Sequence, residues 1–372
     1  MPRGIDLFES VRAETELHPG FRNIRDHPLW APARAVLREV FAEFPDPDGN
    51  FVEQFQTSGF NARIFEIYLF ALFREANFFI DHTQQRPDFI LVKDCSQVAV
   101  EAVTANPPPT DAIQPYVAQP KERTPDEMRD YVQNEVPIRL GSPLFSKLQK
   151  HYWTLTHVQG RPFVLAIETF HDAGSLAISS TPLARYLFGL DHHWYHDRNG
   201  KLIITLHPID THKLGAKEIP SGFFNQQNAE NISAILFSNS GTAPNRIGKE
   251  KGYQSRAVRM IRYGTCYRHD PNSDQPAPFS YEVGDGEAIE KWNEGTVLIH
   301  NPRALYPLTP KFMGVAAEQK LQNGELVTTF FDEGFHPFSS LTLNFPGDMP
   351  TSKLQTIMNK INSGLLQLFP EP

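Results

Sequence analysis

Three pieces of one stretch decide how this chain reads: Asn61-Ala-Arg-Ile-Phe-Glu-Ile-Tyr-Leu-Phe-Ala-Leu-Phe-Arg-Glu-Ala76, Pro87-Asp-Phe-Ile-Leu-Val92 and Gln97-Val-Ala-Val-Glu-Ala-Val-Thr104. The first has helical length and good helix formers, and Thr57 or Ser58 is placed to cap its start. Glu66 is its odd residue. At helical spacing Glu66 neighbours Ala62, Leu69, Phe70 and Phe73, the apolar stripe. A carboxylate there points at the core side and needs a partner, which a salt bridge to Arg63 would supply. The second piece is apolar and β-branched after a proline, so it reads as a strand with Asp88 at its entry. Taken alone, Asp88 is equally an ordinary turn aspartate. Lys93-Asp-Cys-Ser96 then reads as a hairpin turn. In the third piece, alternation puts Val98, Val100 and Ala102 on one face and Ala99, Glu101 and Val103 on the other. Glu101 is therefore a charge in mid-strand with apolar residues on both faces. That is a poor place for a lone charge and a good one for a metal ligand.

Acids on a helix, at a strand entry and on the neighbouring strand can converge on one point. Carboxylate oxygens completed by water suit a hard cation, Mg²⁺ or Mn²⁺. The order of these residues resembles the PD-(D/E)XK nuclease superfamily, the restriction-endonuclease-like fold, in a bacterial branch. Its motif is an acid on the first core helix, then Pro-Asp, then Glu-x-Lys on the next strand. The matching residues here are Glu66, Pro87-Asp88 and Glu101-Ala102-Val103, within residues 57–170. The resemblance implies that Asp88 and Glu101 ligate the divalent ion, that the Ala102 carbonyl joins them, and that Glu66 assists directly or through water. The departure is Val103, which stands where the family has the lysine that orients or activates the attacking water. In some branches that lysine sits on a nearby helix. The candidates are Lys147, then Lys150, on a helix that Ser142 as N-cap and Pro143 at the first helical position mark as starting there. Both lysines also suit an ordinary solvated helix face.

What the resemblance implies is an α/β protein with a restriction-endonuclease-like core, a mixed central sheet flanked by helices, elaborated at both ends. The implied activity is metal-dependent hydrolysis of phosphodiester bonds, with DNA the expected substrate, in bacterial defence or DNA processing. The rival reading is a catalytically inactive relative that binds nucleic acid or protein. Val103 and the acidic balance favour the rival. Keeping three acids near a core opposes it.

Composition bounds the rest. The chain has 372 residues, 40% hydrophobic and 21% charged, enough to bury a sizeable core. Its formal net charge of −8 rules out a generically basic nucleic-acid binder, so DNA contact needs a local patch. Cys95 and Cys266 cannot build a disulfide framework and suit a reducing cytoplasm. No signal core or apolar run long enough for a membrane span is evident. A homodimer or a protein partner is compatible with all of this. We expect a helical N-terminal extension (1–56), the core with inserted loops (57–240) and a C-terminal elaboration packed on it (241–372).

Along the remainder, Trp30 to Phe44 has helical periodicity, with Val36, Val40 and Phe44 on one stripe. Thr124-Pro-Asp-Glu127 is a capping box opening a short helix. Pro162 to Thr169 reads as a central parallel strand ending in Glu168, a strand-end carboxylate of the structural kind. His192 and His196 have metal-like spacing, but Asp197-Arg-Asn-Gly200 is a hairpin turn and no third ligand is evident. Asn231 to Ser238, Thr296 to Pro302 and Leu341 to Phe345 are strand-like, and Ser352 to Leu368 is an amphipathic helix. Residues 246–262 hold six basic residues, Arg246, Lys249, Lys251, Arg256, Arg259 and Arg262, against one acid. They read either as a nucleic-acid contact patch or as a charged edge strand with its arginines in solvent and Val258 and Ile261 inward.

Overall fold

The computed structural model describes residues 6–46, 49–107, 121–241, 257–267, 270, 272–284, 290–331 and 335–363. Helices α1 (Pro19–Asp26), α2 (Ala31–Glu43) and α3 (Phe51–Gln56) precede the long α4 (Phe60–Glu75). They close a cluster of their own, in which Phe21, Phe51 and Phe55 pack on Phe60, Ile64 and Ile67 of α4. Strands β1 (Phe79–Asp81), β2 (Phe89–Lys93) and β3 (Ser96–Ala105) follow as an antiparallel meander, with Asp94 and Cys95 at positive φ in the hairpin turn. Then come α5 (Pro125–Asp130), a wide π-type turn at Tyr131–Glu135, α6 (Val136–Leu148), β4 (Phe163–Thr169) and α7 (Thr181–Phe188).

Two hairpins stand next, β5 (Leu190–His196) with β6 (Leu202–Pro208), and β7 (Thr211–Leu214) with β8 (Lys217–Pro220). The chain continues through β9 (Ala234–Ser238), β10 (Val258–Cys266), β11 (Ala277–Glu282), β12 (Val297–His300), β13 (Ala317–Gln322), β14 (Glu325–Phe330), β15 (Pro337–Pro346) and α8 (Thr351–Asn362).

Eight strands form one mixed sheet in the order β1-β2-β3-β4-β9-β12-β13-β14. Its centre, β3-β4-β9, is parallel, and β4 is buried along its whole length, as a strand covered on both faces must be. Alternation sorts the side chains into two layers. Val98, Val100, Val164 and Ala166 pack on Phe65, Leu69, Leu72 and Phe73 of α4. Val103, Leu165 and Ile167 pack on Leu140, Leu144 and Leu148 of α6 and Leu183 and Leu187 of α7. The result is a mixed α/β sandwich of helix, sheet and helix layers. The boundary expected at residue 240 falls within this sheet, because β12 pairs with β9 and brings β13 and β14 with it. No helix among the described residues is long and apolar enough to cross a membrane.

Three local expectations differ from what is seen. Neither Thr57 nor Ser58 caps α4; Gly59 stands at the N-cap without a side-chain bond. The helix carrying Lys147 does not start at Ser142. It starts at Val136 and runs through Pro143, with the Ser142 hydroxyl donating to the Ile138 carbonyl. The third concerns the basic window. Arg246, Lys249, Lys251 and Arg256 lie outside the described residues. Arg259 and Arg262 lie on β10, which is not an edge strand; it runs between β11 and β15 in a three-stranded sheet. Arg262 is not in solvent. It is fully buried and grips both oxygens of Glu290 at 2.7 and 2.9 Å, with Thr342 beside it. Arg259 is half-buried and pairs with both oxygens of Glu282. Strand alternation explains the inward turn: Arg262 shares a face with Val258 and Met260, which pack on Val36 of α2.

A buried ion pair is costly to break from one side. Glu290→Ala should therefore destabilise the protein by about 3–5 kcal/mol in urea unfolding, whereas the paired replacement Arg262→Met with Glu290→Leu should cost far less.

Candidate functional site

The site forms where β2 parts from β3. Pairing between them begins at Phe89 and Val100, so from Glu101 onward β3 is flanked only by β4, on its other edge. The N–H of Ala102 faces the gap. Asp88, one residue before β2 on the far side of the cis Arg86–Pro87 peptide, fills it: its Oδ2 accepts from Ala102 N at 2.7 Å. A strand edge without its neighbour needs such a substitute acceptor. The Asp88 N–H in turn donates to Glu101 Oε2 at 3.3 Å, which brings the two acids side by side.

Glu101 is 3% exposed and on the face covered by α6. Its other oxygen, Oε1, is ion-paired with Lys147 Nζ. Lys147 lies one helical turn beyond Leu144 and next to Leu148, both fully buried, so the face of α6 that docks on the sheet also delivers the ammonium. Glu66 comes from α4 in the opposite layer. It is 9% exposed and is held by Arg63, which also donates from Nε to Gln54 Oε1 at 2.9 Å. Asp88, Glu101 and Lys147 are thus joined by direct bonds. Glu66 reaches them through its charge and not by contact, its Oε2 being committed to Arg63. Lys150 is exposed beyond the end of α6.

The electrostatics are those of crowded acids. Burial raises the Glu66 carboxyl above its ordinary value, opposed by Arg63 and reinforced by Glu101. Asp88 is raised well above its ordinary value by desolvation, then by the charges of Glu101 and Glu66. Water reaches Asp88, so the like charges are the firmer cause. For Lys147, burial disfavours the charged form, but Glu101 and Asp88 outweigh it and its pKa is raised. Three carboxylates face two cations.

Among the described residues, no group of three or more His, Cys, Asp or Glu side chains is placed to hold a metal ion. The donors present, Asp88 and Glu101, are two hard carboxylates within one hydrogen bond of each other. That set fits an ion such as Mg²⁺, which keeps several waters and takes one or two protein carboxylates, and does not fit a caged ion. The surplus negative charge is what a divalent cation would offset.

Tyr152 went unrecognised in the sequence. Burial and the charge of Glu101 raise its phenol pKa. It lies past the helix: α6 ends at Leu148, and left-handed His151 turns the chain back toward the sheet. Glu168 is fully buried and takes the Gly241 N–H on its two oxygens at 3.1 and 2.9 Å. Gly241 has no room for a side chain, since a Cβ would collide with that carboxylate. His192 and His196 sit on β5 of a hairpin, not on a helix. Compared with family models, curated proteins and solved structures, the chain matches none.

A carboxyl whose folded pKa lies above its unfolded value is a liability when charged. The penalty is present above the folded pKa and disappears as pH falls through it. Asp88→Asn removes that penalty and keeps an acceptor for the Ala102 N–H. The variant should melt above wild type at pH 8, with the difference shrinking to nothing by pH 4, followed by calorimetry across the range.

Proposed function

We propose that the chain is a metal-dependent nuclease acting on DNA. The observation that carries this reading is the meeting of Asp88, Glu101 and Lys147 at the open edge of β3. The three come from a strand entry, a strand middle and a separate helix. When bound by Asp88 and Glu101, Mg²⁺ or Mn²⁺ would polarise the phosphodiester and lower the pKa of its water. Lys147 keeps its proton at neutral pH, because the acids beside it raise its pKa. It acts as a fixed positive charge for the charge that develops on the phosphate, and not as a base. The bond to Glu101 positions that charge. Asp88 ties the site to the β3 backbone through Ala102, so the carboxylate is fixed before substrate arrives. Glu66 stands behind the pair, held by Arg63, which opposes the upward push of burial on its carboxyl. Arg259 and Arg262 drop out of the DNA-contact set, since each already holds a glutamate.

One observation favours the rival, an inactive module that binds nucleic acid or protein: Glu101 has both oxygens engaged, one by Lys147 and one by the Asp88 N–H. In that case the ion pair would be a finished structural element with nothing left to coordinate.

Calorimetric titration with Mn²⁺ and a plasmid-cleavage assay separate the two. On the nuclease reading, wild type binds the ion and cuts, EDTA abolishes cutting, and Asp88→Ala with Glu101→Ala loses both. Lys147→Ala should bind the ion at least as tightly, having lost a competing cation, yet cut about 10²–10³-fold more slowly. Wild-type protein that takes up no Mn²⁺ with or without DNA would refute the enzyme and leave the module.

A further inference from the structure

The turn after α6 has features that the acids and Lys147 do not account for. Residues 147–161, Lys-Leu-Gln-Lys-His-Tyr-Trp-Thr-Leu-Thr-His-Val-Gln-Gly-Arg, contain three Lys or Arg, two His and no Asp or Glu, in a chain of net charge −8. The same turn carries three consecutive rings, His151, Tyr152 and Trp153. His151 is held at φ 54 and ψ 40, an uncommon left-handed conformation that histidine adopts more readily than most side-chain-bearing residues. That conformation lays the imidazole flat on the Trp153 indole, with ring centroids 4.9 Å apart and planes 20° from parallel. Thr154 fixes the turn by donating both its N–H, at 3.0 Å, and its hydroxyl, at 2.8 Å, to the His151 carbonyl. Trp153 leans on the core beneath it, so the stack has one anchored side. His151, Tyr152 and Trp153 are only half-buried, and Lys150 is exposed.

The location is as telling as the composition. Lys147 opens this segment and touches Glu101, while Tyr152 packs edge-on against Phe163 of β4 at 6.1 Å. Phe163 pairs with Ala99, two residues from Glu101 on the same face of β3. The aromatic turn therefore borders the acid–lysine site. A flat, anchored stack with exposed Lys150 next to it in the chain has the chemistry that takes up an unpaired base and its phosphate, because every base offers a π-face and base–aromatic stacking does not depend on sequence. A base inside an intact duplex offers no free face.

We propose that the Lys150–Trp153 turn is a stacking platform for an unpaired nucleobase, with Lys150 at the adjoining phosphate. The nucleic acid taken at this site is then single-stranded or locally opened. This rests on the nuclease reading only for what the site does with its ligand. The binding itself can be tested apart from cutting.

The test is fluorescence anisotropy with the full chain in EDTA, using labelled oligo-dT, oligo-U and a mixed-sequence duplex of the same length. Wild type should bind the two single strands in preference to the duplex, and the two arms show whether binding holds for both a DNA and an RNA strand. His151→Asn tolerates the left-handed backbone but lacks the ring, and should weaken single-strand binding about ten-fold. Trp153→Phe keeps an aromatic surface and should stay near wild type. Lys150→Gln, at an exposed position that cannot unfold the protein, should lower the slope of log affinity against log salt by about one. Equal binding of oligo-dT and duplex, unchanged affinity in His151→Asn, or no binding of any strand would overturn the platform. Loss of affinity in His151→Asn from a protein that never cuts would defeat the nuclease reading and leave the platform standing. Cutting by a protein whose His151→Asn variant binds normally would do the reverse.

Discussion

The site depends on one defect in an otherwise continuous sheet. Because β2 stops pairing at Phe89, the second half of β3 has a free edge, and a free edge in a covered sheet leaves backbone groups to be satisfied. Asp88 satisfies the Ala102 N–H, and its own N–H settles on Glu101. The two carboxylates are thereby forced together, and the charge of Glu101 helps raise the Asp88 carboxyl above its ordinary value. Lys147 from one helix layer and Arg63 from the other offset the charge of the acids without cancelling it. At the gap between strands, side chains from α4 and α6 feel one another across the sheet, the Lys147 charge acting on Glu66. Glu66 and Lys147 act on one point from opposite layers for that reason.

Much of this was legible in the sequence where local pattern and tertiary packing agree. The α4 helix, the β2–β3 hairpin, the burial of β4 and the capping box at Thr124 all follow from periodicity and turn chemistry, and each is present. The same logic singles out Glu101, since a charge in mid-strand must be explained by something outside the strand. What failed was a local signal that packing overrode. Ser142-Pro143 has the form of a helix start. Yet Leu140, Leu144 and Leu148 form a single stripe on the core, and burying that stripe outweighs a proline's lost hydrogen bond.

The basic window shows a different failure. Charge suggests exposure for the arginines, while Val258 and Ile261 are both buried, as expected, but on opposite faces of β10: Val258 packs toward α2 and Ile261 toward α8. Period two groups Arg262 with Val258 and Met260 on the face toward α2, and the strand is covered on both sides. The signal was available in three residues. What the sequence could not supply is the partner, because Glu290 lies 28 positions away and only the fold brings it under the guanidinium. Buried charge is legible as an anomaly in one strand, but its resolution is a tertiary fact.

Val103 can be understood in the same terms. Glu101 and Val103 share the face that α6 covers, and Val103 is 2% exposed among the leucines of that helix. A lysine at 103 would have to thread its stem under α6 and leave its ammonium desolvated, or push the helix off the sheet. Valine lets the helix dock, and the docked helix brings Lys147 to the same carboxylate from above. A positive charge stands near Glu101, and the apolar contact between strand and helix is complete. Close packing of α6 leaves position 103 to an apolar side chain, and the ammonium beside Glu101 comes from the helix.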